Sequence, residues 1–430
     1  MKKFIALALS AVMAVSLAAC GGGGGGGTAS SGGSGDSVKI TVFNSKSEIQ
    51  NQFEELANTY SESHDGVALE VYYSNDTVSA HLGTKYASNE PYTISMVDAK
   101  DIYSLGPEHA LDLSDQDWVS HTNYAIKIDD KVMGFPFCVE ARGIMYNADA
   151  IKAITGEDFD PSKYATLDAF KGLLEQLKAG GMESPVGIMK EDWSLAAHYF
   201  QEIYEQRDDP EAFIQSLYKG EADLANDAKF NSMMDTFDVL MEYNYAKDNP
   251  INAEREQSEL KLAEGEIAFM FGGNWDWSLI KDFNAEANLG MMPVPQNMDD
   301  GANTKLVGGG SKYFFIDSSE NTSEAQVAAA KDFLNWLVSD PEGNAFLTEK
   351  CLVVPAYDNI DASALDPLSK SVKQYADAGA LIDNYNYDPD DHYSKVGADM
   401  MQQYLAGKID RAKLAEMVQQ YWSSVTPVEH

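Results

Sequence analysis

Residues 38–43 (VKITVF) alternate apolar and polar side chains, the period of a strand, and Ile49, Phe53, Leu56, Ala57 and Tyr60 follow at helical spacing. Residues 67–73 (VALEVYY) predict a second strand, 77–87 a second helix and 93–97 a third strand. The opening third therefore reads βαβαβ, with a mainly parallel sheet. Leu167, Phe170, Leu173, Leu174 and Leu177 make the apolar face of a helix that stops at Gly180-Gly181. Residues 268–271 predict a short strand, and 289–294 and 305–316 flank a turn at Asp300-Gly301. Ser323 with Gln326 forms a capping box for a helix carrying Ala330, Phe333, Leu334 and Leu337. Asp410 caps a last helix, with Leu414, Met417, Val418 and Tyr421 on its face. No internal repeat is present at solenoid periods.

Length and composition bound what these elements build. A chain of 430 residues is long enough for two or three domains, and 44% hydrophobic with 23% charged residues is ordinary for a folded chain. The charge is not ordinary: 68 Asp plus Glu stand against 31 Lys plus Arg, a formal net charge of -37. Such a field repels nucleic-acid phosphate and the bare surface of an anionic membrane. The three cysteines, Cys20, Cys138 and Cys351, are too few for a disulfide scaffold, and none sits in a CxxC pair.

The amino terminus accounts for Cys20. Lys2 and Lys3 precede an apolar stretch over 4–15 that is short for a membrane span, and small residues follow. This is the build of a signal peptide over 1–19. Its end, Leu17-Ala18-Ala19-Cys20, resembles the bacterial lipobox, in which the cysteine is lipidated and becomes the first mature residue; the alternative is an uncleaved anchor helix. Removing 1–19 takes away two lysines and no acids, leaving 68 acidic against 29 basic residues, or -39. Residues 20–37 then read as the lipidated cysteine plus a Gly/Ser tether that buries no apolar surface. The expected location is the extracellular face of a bacterial membrane, with the lipid on Cys20 as the membrane contact.

Three stretches carry a family resemblance. The first is GFPFCVEARGIMYN over 134–147. The second is GEIAFM over 265–270, running into Gly273-Asn274-Trp275-Asp276-Trp277. The third is Val307-Gly308-Gly309-Gly310-Ser311, followed by a strand, a helix over 328–338 and Ser339-Asp340-Pro341-Glu342. In this order, over roughly 38–425, they resemble the extracellular solute-binding proteins of ABC importers, in the sugar-binding branch typified by maltose-binding protein. The resemblance implies an α/β, two-lobed periplasmic-binding-protein-like fold, each lobe a doubly wound sheet, joined by hinge crossings. The crossings are expected near 134–138, 305–310 and 353–357. Lobe one would be 38–135 and 311–353, and lobe two 136–307 and 356–425.

A pyranose offers an apolar CH face and a rim of hydroxyls, so its site needs aromatic platforms and planar hydrogen-bonding side chains. Trp275 and Trp277 bracket Asp276 just after an apolar strand, so at least one should face a cleft; Trp275 aligns with a ligand-stacking position of the family. Asn274 either bonds a hydroxyl or shapes the turn. Ligands of open α/β sheets sit beyond the carboxyl ends of strands. That rule selects Asn44, Ser45, Lys46 and Glu48 after the first strand, Asn75 and Asp76 after the second, and Asp98 after the third. Helix capping competes for Asn44 and Ser45, and a plain polar loop for Asp98. Glu140 and Arg142, just past the first crossing, either clamp sugar hydroxyls or pair with each other. Trp193 resembles a second-lobe platform, and Tyr357 is similarly placed beyond the third crossing.

Other chemistry finds little support. The run over 383–392 (DNYNYDPDDH) mixes acids with Tyr385 and Tyr387 and offers a rim loop or a loose cation site, but it lacks the EF-hand glycine and terminal Glu, so a solvated loop is favoured over both. Gly308-Gly309-Gly310 has no phosphate-loop ending, and there is no HExxH or GxSxG. Cys138 and Cys351 both fall near expected crossings and read as buried free thiols, with a disulfide between them as the alternative. No cofactor and no metal are expected. The function expected is a lipid-anchored, monomeric, non-enzymatic receptor that captures an extracellular oligosaccharide by closing its lobes and delivers it to ABC permease subunits. The alternatives are the same fold binding a polyamine or other small solute, suggested by the net charge, and, further off, a secreted glycoside hydrolase.

Overall fold

The computed structural model describes residues 37–427 apart from 75, 385–387 and 390. The signal peptide, Cys20 and the tether up to Asp36 lie outside the described residues, as do Asn75, Tyr385 and Tyr387. The opening strands form where the alternation places them: β1 at Val38–Phe43, β2 at Val67–Tyr72 and β3 at Ile94–Asp98. Helices at Gln50–Ser63 and Val78–Ala87 join them, the second capped by Thr77, whose hydroxyl accepts from the Ala80 N–H. β1 pairs parallel with both β2 and β3, as the βαβαβ reading requires.

The chain then adds β4 (Ile126–Ile128) and β5 (Lys131–Pro136), switches sheets, and enters β6 (Val139–Asn147). β7 (Val186–Gly187), β8 (Phe269–Gly273), β9 (Leu289–Met292) and β10 (Leu306–Gly310) follow, then β11 (Lys312–Ile316) and β12 (Leu381–Ile382). The first sheet runs β2-β1-β3-β11-β5-β4 and the second β12-β10-β6-β8-β7, with β9 also paired to β6. Both sheets are mixed, because β11 lies antiparallel to β3 and β5, and β6 antiparallel to β8 and β10.

The single run anticipated over 305–316 is thus two strands in different sheets, separated only by Ser311. The chain passes from the first sheet to the second at Phe137 and Cys138 and returns at Ser311. A third strand of chain lies against this junction through the bridge between Val139 and Val354. Cys138 and Cys351 are buried and free, and burial pushes the Cys138 thiol up to about 12.

The helix faces read from periodicity are core faces. Phe170, Leu173, Leu174 and Leu177 are buried from Leu167–Ala179, as are Phe333, Leu334 and Leu337 from Glu324–Ser339. The capping box of Ser323 with Gln326 is present, and Asp410 accepts from the Lys413 N–H at 2.8 Å. Three π-helical segments, at Ser194–Phe200, Phe346–Lys350 and Tyr393–Met401, have no counterpart in the sequence reading. Among the described residues no helix is long and apolar enough to cross a membrane.

Candidate functional site

A cleft of about 500 Å³ opens where loops and strands of the two sheets meet. From the first sheet, Ser45, Lys46 and Glu48 follow the end of β1, Asp98 ends β3 and Lys100 follows it. Asn44 shapes the first of these turns: its side-chain oxygen accepts from the Lys46 N–H at 2.8 Å and its amide donates to the Lys46 carbonyl at 3.1 Å. Lys46 is thereby delivered to the cleft while Asn44 stays buried behind it, so its role is the local turn.

Lys46 Nζ donates to Glu48 Oε1 and to Glu140 Oε1, each at 2.6 Å. Burial opposes the lysine charge, but Glu140 and Glu48 outweigh it and hold the ammonium well above its usual range. The same ammonium overcomes the burial of Glu48 and holds its carboxyl at about 2. Glu140 Oε2 accepts from Ser311 Oγ, so one carboxylate ties a loop of the first sheet, a strand of the second and the return junction together.

Glu140 and Arg142 share one face of β6, as residues two apart on a strand must, and both line the cleft. They do not pair with each other. Arg142 donates from Nη2 to Glu205 Oε2 and from Nη1 to Asn384 Oδ1 at 2.9 Å. Its Nε lies 3.8 Å from Glu202 Oε1. Burial pushes Glu202 up to about 8 despite Arg142. Burial, reinforced by the Glu205 charge, does the same to Asp388. Asn384 and Asp388 belong to the run anticipated as a solvated loop. The favoured solvated loop is corrected in favour of the rim-loop alternative: part of the run lines the cleft, and His392 is buried against Tyr204 and Trp422. Among the described residues no group of three or more His, Cys, Asp or Glu is placed to hold a metal ion.

The aromatic side is built from two segments. Trp275 stands in the short 3-10 turn Asn274–Asp276 at the end of β8. Asn274 pins that turn to β6 by accepting the Ala141 N–H at 3.0 Å, and it is buried, so it shapes the turn and does not reach the cleft. Trp193 precedes the π-helical segment Ser194–Phe200, which presents His198. The His198 ring lies 5.2 Å from Trp193 and 4.6 Å from Trp275, so three rings form one strip along the wall. Arg255 sits 5.4 Å over Trp193 and pairs with Glu259 at 2.8 Å and Asp276 at 2.7 Å.

The structure therefore brings Lys46, Glu48, Asp98, Glu140, Arg142, Trp193 and Trp275 to one cleft. Of the remaining candidates, the open choice at Trp277 falls to the core, and the expectations at Tyr357 and Asp76 are corrected. Trp277, 7% exposed, packs into the core as the first residue of the helix Trp277–Phe283. Tyr357, 4% exposed, packs on Trp118 and Phe135 instead of facing the cleft. Asp76 is exposed in the loop after β2 and lies outside the cleft.

Sequence reasoning missed Lys100, His198, Glu205, Arg255 and Lys312, which also line the cleft. Lys312 follows the return junction as Glu140 follows the outward one, so the same rule would have found it. His198 and Glu205 stand on helical segments away from any strand end and carry no such signal. Each of the five cations has a carboxylate: Lys312 with Asp98 at 2.5 Å, Lys100 with Asp101 at 3.0 Å, and Lys46, Arg142 and Arg255 as above. The wall is charge-compensated, unlike the chain as a whole.

The family described as bacterial extracellular solute-binding protein matches residues 55–402. No curated protein matches. Among solved structures, the chain is similar to the binding protein MsmE of Bacillus subtilis in an open conformation, at 16% identity and a TM-score of 0.73, covering 90% of this chain and 97% of that one. It is similar to a sugar transporter of Bacillus licheniformis in complex with stachyose, at 22% identity and a TM-score of 0.69, covering 90% and 99%. RafE of Streptococcus pneumoniae, in its apo form, matches at 18% identity and a TM-score of 0.71, covering 91% and 98%.

Proposed function

Because the chain belongs to the bacterial extracellular solute-binding proteins, which bind and do not transform their ligands, we propose that its cleft captures a neutral oligosaccharide for an ABC importer. The observation that carries this reading is the strip of Trp193, His198 and Trp275 facing a wall of planar, charge-paired side chains. Tryptophan faces accept the CH faces of sugar rings, and fixed carboxylates and guanidinium groups accept and donate to hydroxyls. The stachyose-bound relative supports the same ligand class.

Charge decides against the polyamine alternative. A polycation needs unpaired ionised carboxylates, whereas Glu48, Asp98, Glu140 and Glu205 on this cleft are each paired with a cation, and burial raises Asp388 to about 8, which favours its neutral form. An acidic sugar would need unpaired cations and meets the same objection. The net charge of -37 belongs to the rest of the surface.

In this reading the two sheets are the cores of two lobes, 38–135 with 311–353 and 136–307 with 356–425, which close about the junctions and present a distinct shape to permease subunits. Cys20 carries the lipid that keeps the monomeric receptor at the extracellular face. The test is a thermal-shift screen of the tetherless protein against neutral oligosaccharides, uronate-containing oligosaccharides, polyamines and peptides. A ligand at 100 times its Kd stabilises the folded state by about 2.7 kcal/mol. Stabilisation by neutral oligosaccharides alone is expected; stabilisation by polyamines alone would overturn the reading.

A further inference from the structure

His198 is held in an unusual way. It stands in a π-helical segment, a form found at functional sites more than elsewhere. That segment packs against a second one, Tyr393–Met401, where Gly397 allows the chains to touch: a Cβ there would lie 2.2 Å from the Asp192 carbonyl oxygen. The imidazole sits between Trp193 and Trp275. Its Nδ1 is buried and has no hydrogen-bond partner.

The ring is neutral, because burial and the positive charges of Arg142 and Arg255 hold it well below its usual range. A neutral imidazole carries one proton. A proton on the sealed Nδ1 would be an unmet buried donor, which folded proteins avoid. The proton therefore sits on Nε2, on the ring edge left to meet the cleft.

Resting on the oligosaccharide reading, we infer that His198 is the specificity-determining contact of the aromatic strip, donating its Nε2–H to one oxygen of the bound sugar. Stacking on tryptophan is tolerant, since any apolar sugar face satisfies it. A single fixed donor between two platforms is not tolerant. It reads whether an oxygen lies at that point, so it separates epimers and deoxy analogues that stack equally well.

The test uses His198→Phe, which keeps an aromatic ring without the donor, and His198→Gln, whose amide N–H reaches the place of Nε2. With the best oligosaccharide from the screen, His198→Phe is expected to bind about 10- to 100-fold more weakly, the cost of one lost buried hydrogen bond. His198→Gln should recover most of the loss, and the preference between epimers should shrink in the Phe variant. Unchanged affinity and epimer preference in His198→Phe would overturn the inference and leave the oligosaccharide reading standing. Failure of the unaltered protein to bind any oligosaccharide would instead overturn that reading. Nitrogen NMR of the ligand-free protein at neutral pH tests the donor independently: the Nε2–H tautomer is expected, and an Nδ1–H or doubly protonated ring would overturn it.

Discussion

The ring of Trp275 occupies the space a side chain on Gly273 would need: a Cβ built on Gly273 falls 2.3 Å from two ring carbons of Trp275. The glycine thus lets the indole fold back along the end of β8 and stand beside His198. Gly273→Ala should displace the ring and lose ligand affinity about as far as removing the indole does. The checks are calorimetric titration with the best oligosaccharide and indole fluorescence; unchanged affinity and emission would refute the contact.

Trp275→Ala removes the platform itself. Trp275 is only half-buried in a turn that Asn274 and Asp276 hold through their own bonds. The variant is expected to lose about 1–3 kcal/mol of binding, the worth of covering one large apolar side chain, with its melting temperature nearly kept. A large fall in melting temperature with intact binding would make Trp275 a core residue.

Glu202 gives a pH prediction. Its folded-state carboxyl is raised from the ordinary 4.5 to about 8, chiefly by burial. Between those values the folded protein holds a proton that the unfolded chain has released, so stability falls as pH rises from 4.5 to 8. Each unit of separation is worth about 1.4 kcal/mol. Glu202→Gln should flatten this slope in chemical denaturation measured across the window; an unchanged slope would show that other groups supply it.

Tyr357 tests the correction made at the third expected crossing. Its hydroxyl is buried without a partner, in a ring packed on Trp118 and Phe135. Deleting the hydroxyl removes an unmet polar group, which costs about 1–3 kcal/mol when buried. Tyr357→Phe should therefore match or exceed the unaltered protein in melting temperature and bind ligand equally. Weakened binding would return Tyr357 to the site.

Anchoring is tested in cells. Cys20→Ala should move the protein from the membrane fraction to the medium, detected by immunoblot of both. Retention of the variant at the membrane would refute lipidation at Cys20.

How much of this was legible in the sequence depended on the range of the signal. Strand alternation and helix periodicity are local, so β1 to β3 and the faces of Leu167–Ala179 and Glu324–Ser339 could be read directly. Trp275 was legible because a strand end and a glycine turn mark it. Lys46 and Glu140 were picked out one by one, yet their pairing joins residues 94 positions apart and has no local trace. Trp277 was ambiguous because the turn that exposes one tryptophan starts the helix that buries the next. His198 was invisible: no strand end or motif marks its segment, and only the fold brings it between two tryptophans.

The compensated wall of the cleft has a kinetic side. A neutral ligand feels no long-range attraction from paired charges, and the acidic surface neither steers it inward nor turns it away. Encounter should then proceed at a rate nearly indifferent to salt. Differences in affinity among ligands would arise in how long each stays, so the strip of rings and its paired partners act on departure, not on arrival.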